Sequence, residues 1–428
     1  MKVLHVLRKC DPAEWGGTET ALHRLFSGLR KRAVESVVYC PQIEPPPMKD
    51  PLVESGFNVR RFRAFVPVLG LSSVRRRQLV AVGGNLMSFE LISALRREPK
   101  ASVIHAHALG RLGGIALTIA KERQLPCVVT IHGGVLDLPE KVKQTFNAPE
   151  SRGLEWGKIF GFLFRAHRLL HDADALVTCN AREAALWQQK DPSKRVVVQP
   201  HGVPLADFQR DHKAAARSAF PGIQDRSVVL SLGRIDAIKN QQWLLEQMPE
   251  ILKKHPRALL VLAGACTDEL YGKRLEQRIG ELGLRERVLL TGGLPPNDPR
   301  LIGLLQEASV LVLPSVSETF GLVILEGWAA GVPVLSSRTS GASALINSGL
   351  NGWLFDLDHP KTFHQALDST LSDPAHSRRM AALGTEKVRG EYSMEAAAVR
   401  MKSLYDELVE AHPKRSALLP GESAVERH

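Results

Sequence analysis

The stretch VLVLPSVSETFGLVILEG, residues 310–327, joins a short aliphatic run to a longer apolar run through a polar loop. The first run, Val310–Leu313, has the length and the β-branched content of a buried strand. The run after Phe320 is typical of the start of a buried helix. A strand, a loop and a helix in this order form the repeating unit of a parallel sheet that is covered by helices. The stretch therefore predicts an α/β fold.

The same alternation of short β-branched runs and longer amphipathic segments covers most of the chain and restarts near Ser227. Helices are expected between most of the strands, for example over Thr18–Lys31 and Leu109–Lys121. The strands predicted in the first half are Lys2–Leu7, Val34–Cys40, Ser102–His107, Pro126–Ile131, Ala175–Cys179 and Val196–Gln199. Those predicted in the second half are Val228–Leu232, Ala258–Ala263, Val288–Leu290, Val310–Leu313 and Val332–Leu335.

This pattern predicts two Rossmann-like β/α/β domains that face each other across a cleft. We place the first over residues 1–205 and the second over residues 206–392. The polar segment Pro200–Phe220 has no strand pattern and is expected to be an irregular connection between them. A last helix over Ser393–Ala411 begins with a serine that suits an N-cap, and residues 413–428 are expected to form a disordered tail.

The composition bounds the class of protein. With 428 residues, of which 44% are hydrophobic and 24% charged, the chain can build large cores. No run reaches the roughly 18 apolar residues of a membrane span, and Met1–Leu7 lacks the layout of a signal peptide. The five cysteines show no CxxC spacing, which disfavours disulfides and a zinc site. We therefore expect a cytoplasmic protein. The net charge of +11 leaves nucleic acid, an acidic membrane surface and a polyanionic substrate open as partners.

Two carboxylates flank the predicted helix start after Val310–Leu313, where doubly wound folds bind their ligands. Glu326 lies in an apolar helix, where an unpaired carboxylate is costly, and sugar hydroxyls would supply the donors it needs. Glu318 precedes the helix and can reach a ligand held over the helix N-terminus. The alternative is a capping acid plus one core ion pair. The backbone N–H groups expected to be free for phosphate or sugar oxygens are those of Thr319, Phe320, Gly321 and Leu322.

The loop after the strand Val228–Leu232 carries two cations. Gly233 is followed at once by Arg234 and, five positions after that, by Lys239. Two cations that converge at a strand end suit a diphosphate, because arginine offers a fork of donors and lysine a point charge. A solvated basic loop is the alternative for either residue alone.

Two loops of the first half add candidates. Gly16–Gly17 lies just before a helix, where paired glycines let a phosphate approach the backbone and the helix N-terminus favours its charge. A simple turn is the alternative. His132 follows the Pro126–Ile131 strand beside two glycines, a position that faces the cleft. A loop histidine that bonds the backbone is the alternative there.

These motifs resemble those of the retaining family-4 glycosyltransferases of the GT-B fold. The likeness covers nearly the whole chain and is weakest from Pro45 to Arg97. It implies two facing Rossmann-like domains with an interdomain cleft and a C-terminal helix that crosses back to the first domain. The matching motifs are the E-x7-E pair Glu318 and Glu326, Gly233–Arg234 with Lys239–Asn240, Gly16–Gly17, His132–Gly133, Gly331–Val334 and Tyr392–Met394.

For the second domain, the resemblance implies a role for each matching residue. Glu326 is expected to bind the ribose of a nucleotide, and Glu318 a hydroxyl of the transferred sugar. Arg234 and Lys239, beside Gly233, are expected to neutralise the diphosphate as it leaves, together with the N–H groups at the helix start. The donor implied is a nucleoside-diphosphate sugar.

For the first domain, the resemblance implies that Gly16–Gly17 lets the domain close over the diphosphate and that His132 lies near the donor sugar and the acceptor. The sequence departs from the family in three places. The turn Ser340–Ala344 lacks a glutamate that family members often carry, and His201 and Pro204 replace the usual Asn and Asp of the domain connection. The first change puts contacts of the donor-side loop in doubt, whereas the others concern the hinge.

The implied reaction is transfer of a hexose with retention of anomeric configuration. Negative charge grows on the diphosphate as the glycosidic bond breaks, so preplaced cations and N–H groups stabilise the transition state more than the ground state. No carboxylate is evidently placed for a covalent intermediate, which favours front-face substitution. The two Asp-x-Asp strings, Asp172–Asp174 and Asp356–Asp358, are interpreted as chance, so no metal or other cofactor is expected.

The acceptor is the least constrained partner. In the resembling family the first domain binds it, often as a lipid-linked or membrane-proximal glycan. Arg60–Phe65 and Arg75–Arg77 lie among apolar residues, a pattern that suits an anionic membrane surface as well as it suits a solvated loop. A second candidate, Trp156–Leu170, is expected to be a helix packed on the sheet. We expect a glycan or lipid-linked acceptor of surface polysaccharide or glycolipid synthesis, with peripheral contact at the inner membrane face and no nucleic acid.

Other functions remain open on the sequence. A phosphorylase of the same fold would need a pyridoxal lysine, which we cannot identify, and a sugar-nucleotide epimerase is a further member of this class. A silent sugar-nucleotide-binding or scaffold protein is disfavoured by the intact Arg234, Lys239, Glu318 and Glu326. A nicotinamide dehydrogenase is disfavoured because no GxGxxG follows the first strand.

Overall fold

Two sheets, one from each half of the chain, organise the fold. The computed structural model describes residues 1–12, 15–43, 49–69, 86–133, 135–136, 154–295 and 297–412. The strands of the first half are β1 (Lys2–Val6), β2 (Glu35–Pro41), β3 (Asn58–Phe62), β4 (Val68–Leu69), β5 (Val103–Ala106), β6 (Cys127–Ile131), β7 (Leu154–Glu155), β8 (Ala175–Thr178) and β9 (Val196–Val198). Those of the second half are β10 (Ser227–Leu232), β11 (Ala258–Ala263), β12 (Val288–Gly292), β13 (Val310–Leu313), β14 (Val334–Ser337) and β15 (Trp353–Phe355).

Helices cover both faces of each sheet. Those of the first half are α1 (Gly17–Arg30), α2 (Pro51–Glu54), α3 (Phe89–Arg97), α4 (Gly110–Glu122), α5 (Lys158–Leu163), α6 (Leu169–Asp172) and α7 (Ala181–Lys190). The later ones are α8 (Leu205–Gln209), α9 (Lys213–Ala219), α10 (Gln241–Lys254), α11 (Glu269–Glu281), α12 (Pro299–Glu307), α13 (Leu322–Ala329), α14 (Ser340–Leu345), α15 (Pro360–Ser372), α16 (Pro374–Glu391) and α17 (Met394–Ala411).

The strand order fixes where each sheet can bind a ligand. The first sheet has the order β3-β2-β1-β5-β6-β8-β9 and the second β12-β11-β10-β13-β14-β15, and all neighbours in both are parallel. The strand order reverses direction at β1 in the first sheet and at β10 in the second. Ligands of such sheets bind at these switch points, beyond the carboxyl ends of the strands. The prediction of two Rossmann-like domains is confirmed.

The central strands are the ones that the sequence predicts best. Every residue of β11 and β13 is buried, because helices cover these strands on both faces. A strand buried on both faces reads as an unbroken apolar run instead of an alternating one. The predicted bounds of both strands, Ala258–Ala263 and Val310–Leu313, match the structure residue for residue.

Two edge strands and a short antiparallel pair were not predicted. The strand β3 reads NVRRF, and its arginines led us to interpret the segment as a basic loop or a membrane-binding surface. The strand β15 is only three residues long. The pair β4–β7 has two residues in each strand, too few for a periodic signal. The strand predicted over Val332–Leu335 begins two residues later, at Val334, after a turn at Gly331–Pro333.

The connection between the sheets is more regular than predicted. We expected Pro200–Phe220 to be irregular, but it contains the helices α8 and α9. The second of these packs closely on α12, since a Cβ on Gly303 would lie 2.2 Å from the carbonyl oxygen of His212. The sequence of α9, KAAARSA, has little apolar periodicity, but it is rich in alanine, which favours a helix. The division of the chain at residue 205 stays a prediction.

The last helix, α17, returns to the first domain. Ser393 caps it, with its Oγ accepting from the N–H of Ala396 at 3.2 Å, as predicted. A Cβ on Gly28 of α1 would lie 2.7 Å from the Cβ of Ala398, so the two helices are in close contact. Tyr405 reaches into the first sheet, where its hydroxyl lies 2.6 Å from Nδ1 of His105. The predicted crossover helix is thereby confirmed.

The helices that the structure describes include none that is both long and apolar enough to span a bilayer. The predicted disordered tail, residues 413–428, lies outside the described residues.

Candidate functional site

The predicted site residues of the two halves meet where the carboxyl ends of both sheets face each other. The side-chain amide of Asn180, after β8, donates to the carbonyl oxygen of Thr319 at 2.8 Å. The hydroxyl of Thr319 in turn donates to the carbonyl oxygen of Gly133, after β6, at 3.1 Å. The loop that carries Glu318 therefore lies directly against the loop that carries His132.

The loop after β10, residues 233–240, is shaped by an aspartate that sequence reasoning missed. Oδ1 of Asp236 accepts from the backbone N–H groups of Ile238 and Lys239 at 3.0 and 2.9 Å. Its Oδ2 pairs with Arg234 at 3.2 Å. The Arg234 side chain is half exposed, so its guanidinium remains accessible at the edge of the sheet. Asp236 therefore holds both cations of this loop in place.

Glycines allow this loop to approach its neighbours. Gly233 has φ +150°, and a Cβ on Gly264, after β11, would lie 1.9 Å from the carbonyl oxygen of Gly233. Only glycine at position 264 permits this approach, because any side chain there would overlap the Gly233 backbone. Gly264 is a second residue of the site that sequence reasoning missed.

Lys239 and Glu318 form an ion pair across the second sheet's edge. The ammonium nitrogen of Lys239 lies 2.5 Å from Oε2 of Glu318, and both side chains are about one fifth exposed. Oε1 of Glu318 accepts from the N–H of Gly321 at 3.3 Å. The expectation of four free N–H groups is therefore wrong at Gly321, because the glutamate caps the turn as acids commonly do at a helix start.

The other three predicted N–H groups have different surroundings, since a Cβ on Gly341 would lie only 2.6 Å from the backbone nitrogen of Phe320. Within the described residues, no hydrogen-bond acceptor contacts the N–H of Thr319, Phe320 or Leu322. Gly321 has φ +89° as the residue before α13, which turns the chain into the helix. The Phe320 side chain is buried and packs against the ring of His201. This turn keeps backbone donors beside the Lys239–Glu318 pair.

Glu326 makes an ion pair with the opposite domain. Nη2 of Arg24, on α1, lies 2.7 Å from Oε1 of Glu326. Both side chains are nearly buried, with 2% of Arg24 and 10% of Glu326 exposed. The same Nη2 donates to Oδ1 of Asn297 at 3.3 Å. The core ion pair that we weighed as an alternative is thus present, and it joins the two domains.

Three histidines connect the core of the first sheet to this site. Nδ1 of His5 lies 3.0 Å from Nε2 of His107, and Nδ1 of His107 lies 3.0 Å from Nε2 of His132. We call these three residues the histidine chain. The ring of His132 stacks on His201 at 5.8 Å between centroids, and His201 packs edge-on against Phe320 at 4.7 Å. A continuous line of rings therefore runs from β1 to the loop before α13.

The histidine chain is neutral at physiological pH. Burial lowers the pKa of His5 and of His132 to about 3, and it lowers the pKa of His107 well below its usual range. Each contact between neutral rings holds one proton, so the tautomers are coupled. Nε2 of His5 and Nδ1 of His132, at the two ends, have no partner among the described residues. Two arrangements satisfy both contacts, because the remaining proton lies either on Nε2 of His5 or on Nδ1 of His132.

Histidines also form the group that could hold a metal. Among the described residues, His5, His105 and His107 have ligand nitrogens within 4.8 Å of one another. Both nitrogens of His105 are engaged, however, one with Tyr405 and one with Thr130, each at 2.6 Å. His5 and His107 bond each other, so a metal ion would have to displace these hydrogen bonds.

The two Asp-x-Asp strings have structural partners. Asp172 accepts from Lys121 at 2.8 Å and pairs with Arg168, and Asp174 accepts from the N–H of Cys127 at 2.7 Å. Asp356 accepts from the N–H of Asp358 at 3.0 Å. These contacts explain both strings without a ligand.

The Gly16–Gly17 turn is partly occupied by the protein itself. The N–H of Gly16 donates to Oε2 of Glu19 at 3.1 Å, so the Glu19 side chain caps the start of α1. Burial raises the pKa of the Glu19 carboxyl, although backbone hydrogen bonds and two nearby cations oppose that shift. A Cβ on Gly17 would meet nothing within 4 Å, so this residue forms the open side of the turn. A phosphate would therefore meet Gly17 first.

Comparison with known proteins identifies the family. The profile described as "Glycosyl transferase 4-like domain" matches residues 16–202, and that described as "Glycosyl transferases group 1" matches residues 214–387. A D-inositol 3-phosphate glycosyltransferase of Corynebacterium jeikeium is 32% identical over 95% of this chain and 97% of its own length. The enzyme of the same name from Thermobispora bispora is 31% identical over 76% of each chain. The chain therefore belongs to the glycosyltransferase family that these two profiles describe.

Solved structures agree with the family in fold. The Anabaena HepE protein in complex with UDP matches with a TM-score of 0.71 at 18% identity. The match covers 95% of the present chain and all of HepE. A sucrose-phosphate synthase of Thermosynechococcus elongatus matches with a TM-score of 0.72 at 21% identity. The match covers 96% of the present chain and all of the synthase. The predicted GT-B architecture of the glycosyltransferase is confirmed.

The predicted membrane-binding segments look different in the structure. Arg60 and Arg61 lie on β3, where Arg60 pairs with Glu98 and Arg61 with Asp50, so these charges are used internally. The segment Arg75–Arg77 lies outside the described residues.

The second segment was expected to contain a helix packed on the sheet. Its helix, α5, is only six residues long and buries none of them. Ile159 and Phe162 are each 75% exposed. Among the described residues, α5 therefore presents an exposed apolar surface instead of packing on the sheet.

The site residues that sequence reasoning missed belong mostly to the first domain. Arg24 stands on the buried face of α1 beside Leu22 and Phe26, and a charge on such a face is a signal that was available. His5 and His105 are opposite each other on paired strands, a second such signal. Neither signal names a partner, because the partners are far apart in sequence.

Proposed function

We propose that the chain is a retaining glycosyltransferase that moves a hexose from a nucleoside-diphosphate sugar to a glycan or a lipid-linked acceptor. One observation carries the proposal. Arg234 and the Lys239–Glu318 pair converge at the carboxyl edge of the second sheet, against the Gly133 loop of the first. Solved structures of similar fold, among them HepE in complex with UDP-glucose, support a donor of this class.

In the proposed reaction, the second domain stabilises the leaving group. Arg234, Lys239 and the available N–H groups before α13 supply positive charge and donors where the diphosphate becomes more negative. Glu318 binds a sugar hydroxyl while Lys239 shares its charge with the phosphate. Glu326 binds the ribose. The cations take the place that a metal ion holds in other transferases, so we propose that no metal is needed.

The first domain supplies neutral groups near the sugar. His132 presents an uncharged imidazole whose N–H can bond to a sugar or acceptor oxygen without competing with the phosphate for the cations. We propose front-face substitution, in which the acceptor attacks from the side on which the diphosphate leaves. This route retains the anomeric configuration and needs no nucleophilic carboxylate.

The acceptor has two candidate classes. We keep a glycan or lipid-linked acceptor of surface polysaccharide or glycolipid synthesis as the main proposal, with the enzyme at the inner membrane face. The exposed Ile159 and Phe162, next to Lys158, would provide the contact with an anionic bilayer. A phosphorylated inositol is the second candidate, because the related curated enzymes carry that acceptor in their names.

A panel of nucleotide sugars tests the donor. We expect one or a few to raise the melting temperature and to release nucleoside diphosphate when an acceptor is present. Labelled transfer to lipid-linked glycans or to D-inositol 3-phosphate then separates the two acceptor classes. Sedimentation with anionic liposomes, for wild type and for Ile159→Ser with Phe162→Ser, tests the membrane contact. The proposal fails if no nucleotide sugar is bound or consumed.

A further inference from the structure

Arg24 is a buried cation whose hydrogen-bonding capacity is mostly unused. In the part of the chain that the structure describes, the hydrogen-bonding partners of Arg24 are Glu326 and Asn297, and both contact its Nη2. Its Nε and Nη1 are buried and, within the described residues, have no hydrogen-bond partner. The ring of Phe208 lies 5.6 Å from the guanidinium carbon and covers one face. A guanidinium that is 2% exposed and has two unpaired nitrogens is costly unless something else satisfies it.

The arrangement is also a poor device for stability alone. A buried ion pair repays its desolvation only when its remaining donors and acceptors are satisfied. Here Oε2 of Glu326 has no donor from the described residues either, and the pair spans two domains. An acceptor oxygen and unpaired N–H donors thus lie side by side at the domain interface.

This pairing matches the chemistry of a vicinal diol. A hydroxyl both donates and accepts, so one ribose hydroxyl can donate to Glu326 while its neighbour accepts from Arg24. A phosphate fits less well, because the Glu326 carboxylate, 2.7 Å from the guanidinium, would repel it. In the proposed mechanism, Arg234 and Lys239 already neutralise the diphosphate, and Lys239 pairs with Glu318 in the loop before α13.

We propose that Arg24 is a ribose-binding residue: it holds Glu326 in place and, with its remaining N–H groups, receives the ribose hydroxyls of the donor nucleotide. The inference rests on the proposed function, in which Glu326 binds ribose. Since Arg24 belongs to the first domain and Glu326 and Asn297 to the second, ribose binding draws the two domains together. The nucleotide site is then completed only in the closed enzyme.

The test separates ribose from phosphate. Calorimetry first measures the binding of UDP, GDP and ADP to the full chain. The nucleoside diphosphate that binds most tightly is then compared with its 2′,3′-dideoxy analogue and with inorganic pyrophosphate. We expect Arg24→Gln to weaken the nucleoside diphosphate about 10- to 100-fold, the range for losing a charged hydrogen bond. Pyrophosphate and the dideoxy analogue should bind wild type and Arg24→Gln equally. Arg234→Gln should weaken all three ligands.

Controls keep the outcomes distinct. Arg30→Gln, on the same helix but directed at the Ser55 carbonyl and the Phe57 ring, should leave all three affinities unchanged. If Arg24→Gln does not fold, Arg24→Lys keeps the charge without the fork and should weaken nucleoside diphosphate binding while sparing pyrophosphate. Equal loss for pyrophosphate, or no loss for the nucleotide, would overturn the role of Arg24. Failure of wild type to bind any nucleoside diphosphate would instead overturn the proposed function.

Discussion

The loop at residues 233–240 and the histidine chain face the same cleft but differ in charge, since the loop is cationic and the histidine chain is neutral. The loop presents Arg234, half exposed, and Lys239, partly exposed, both held by acids of the same domain. In the histidine chain His5 is buried and His107 and His132 are partly buried, and burial lowers the pKa of His132 to about 3, so this chain presents a neutral ring. The difference indicates a division of labour. One domain supplies charge for the leaving group, and the other supplies hydrogen bonds that do not compete for it.

Removing charge from the loop should have the largest effect. We expect Arg234→Ala and Lys239→Ala each to cost roughly 2–4 kcal/mol of transition-state stabilisation, a fall in kcat/KM of about 30- to 1000-fold. Steady-state kinetics with the preferred donor measures this. Lys253→Ala, an exposed lysine on α10 that pairs with Glu250, is the matched control and should be silent. Wild-type rates from a folded Arg234→Ala protein would remove the loop from the mechanism.

Changing the histidine chain should have a smaller effect. His132→Ala removes one neutral hydrogen bond, which is worth about 1–1.5 kcal/mol, so we expect a loss of about tenfold in kcat/KM. His107→Asn should lower kcat/KM by a smaller factor, because it acts only by orienting His132. A loss at His132 as large as that at Arg234 would contradict the division between the two regions.

The histidine chain, together with the neighbouring His201, should also make the stability of the fold sensitive to acid. In the unfolded protein a histidine binds a proton near pH 6.5, whereas the folded pKa is about 3 for His5 and His132 and about 4 for His201. Between pH 6.5 and 4 the unfolded state therefore binds more protons, and stability falls as the pH falls. Each such histidine contributes about 1.4 kcal/mol per pH unit in this window.

Urea denaturation at pH 7, 6 and 5 measures this dependence. Replacing His5 by Asn should flatten the slope between pH 6.5 and 5, since one buried histidine is removed. The contribution of these histidines to the free energy of unfolding should level off above about pH 7.5. If the free energy of unfolding has the same pH dependence in wild type and in His5→Asn, the His5 ring does not cause the acid sensitivity.

Chelation should have the smallest effect. Because Arg234 and Lys239 serve the diphosphate in the proposed mechanism, excess EDTA should leave the transfer rate unchanged. Activity lost with EDTA and restored by magnesium or manganese would assign the charge stabilisation to a metal instead of the loop.

The sequence predicts the central strands of both sheets better than their edges, for a physical reason. Strands such as β11 and β13 are buried on both faces, so their apolar runs are unambiguous. Edge strands such as β3 are half exposed, and there the arginines concealed the strand pattern. The positions of Arg234 and His132 after strands were predictable from the strand pattern, whereas their roles stay a prediction.

Contacts between distant segments could not be predicted. The pair Arg24–Glu326 joins α1 to α13, and nothing in either segment specifies the other. The bond between the Gly321 N–H and Glu318 depends on a turn with φ +89°, which residue types alone do not fix. Both features decide how much of the predicted site is open to a ligand.

The most direct test of the central claim is the product itself. Purified enzyme is incubated with α-linked UDP-, GDP- and ADP-sugars and with both acceptor classes, and the product is examined by proton NMR. The account predicts release of one nucleoside diphosphate and a product whose new glycosidic bond is α. A β-linked product would contradict retention, and no transfer from any donor to any acceptor would contradict the assignment of the cleft as a sugar-transfer site.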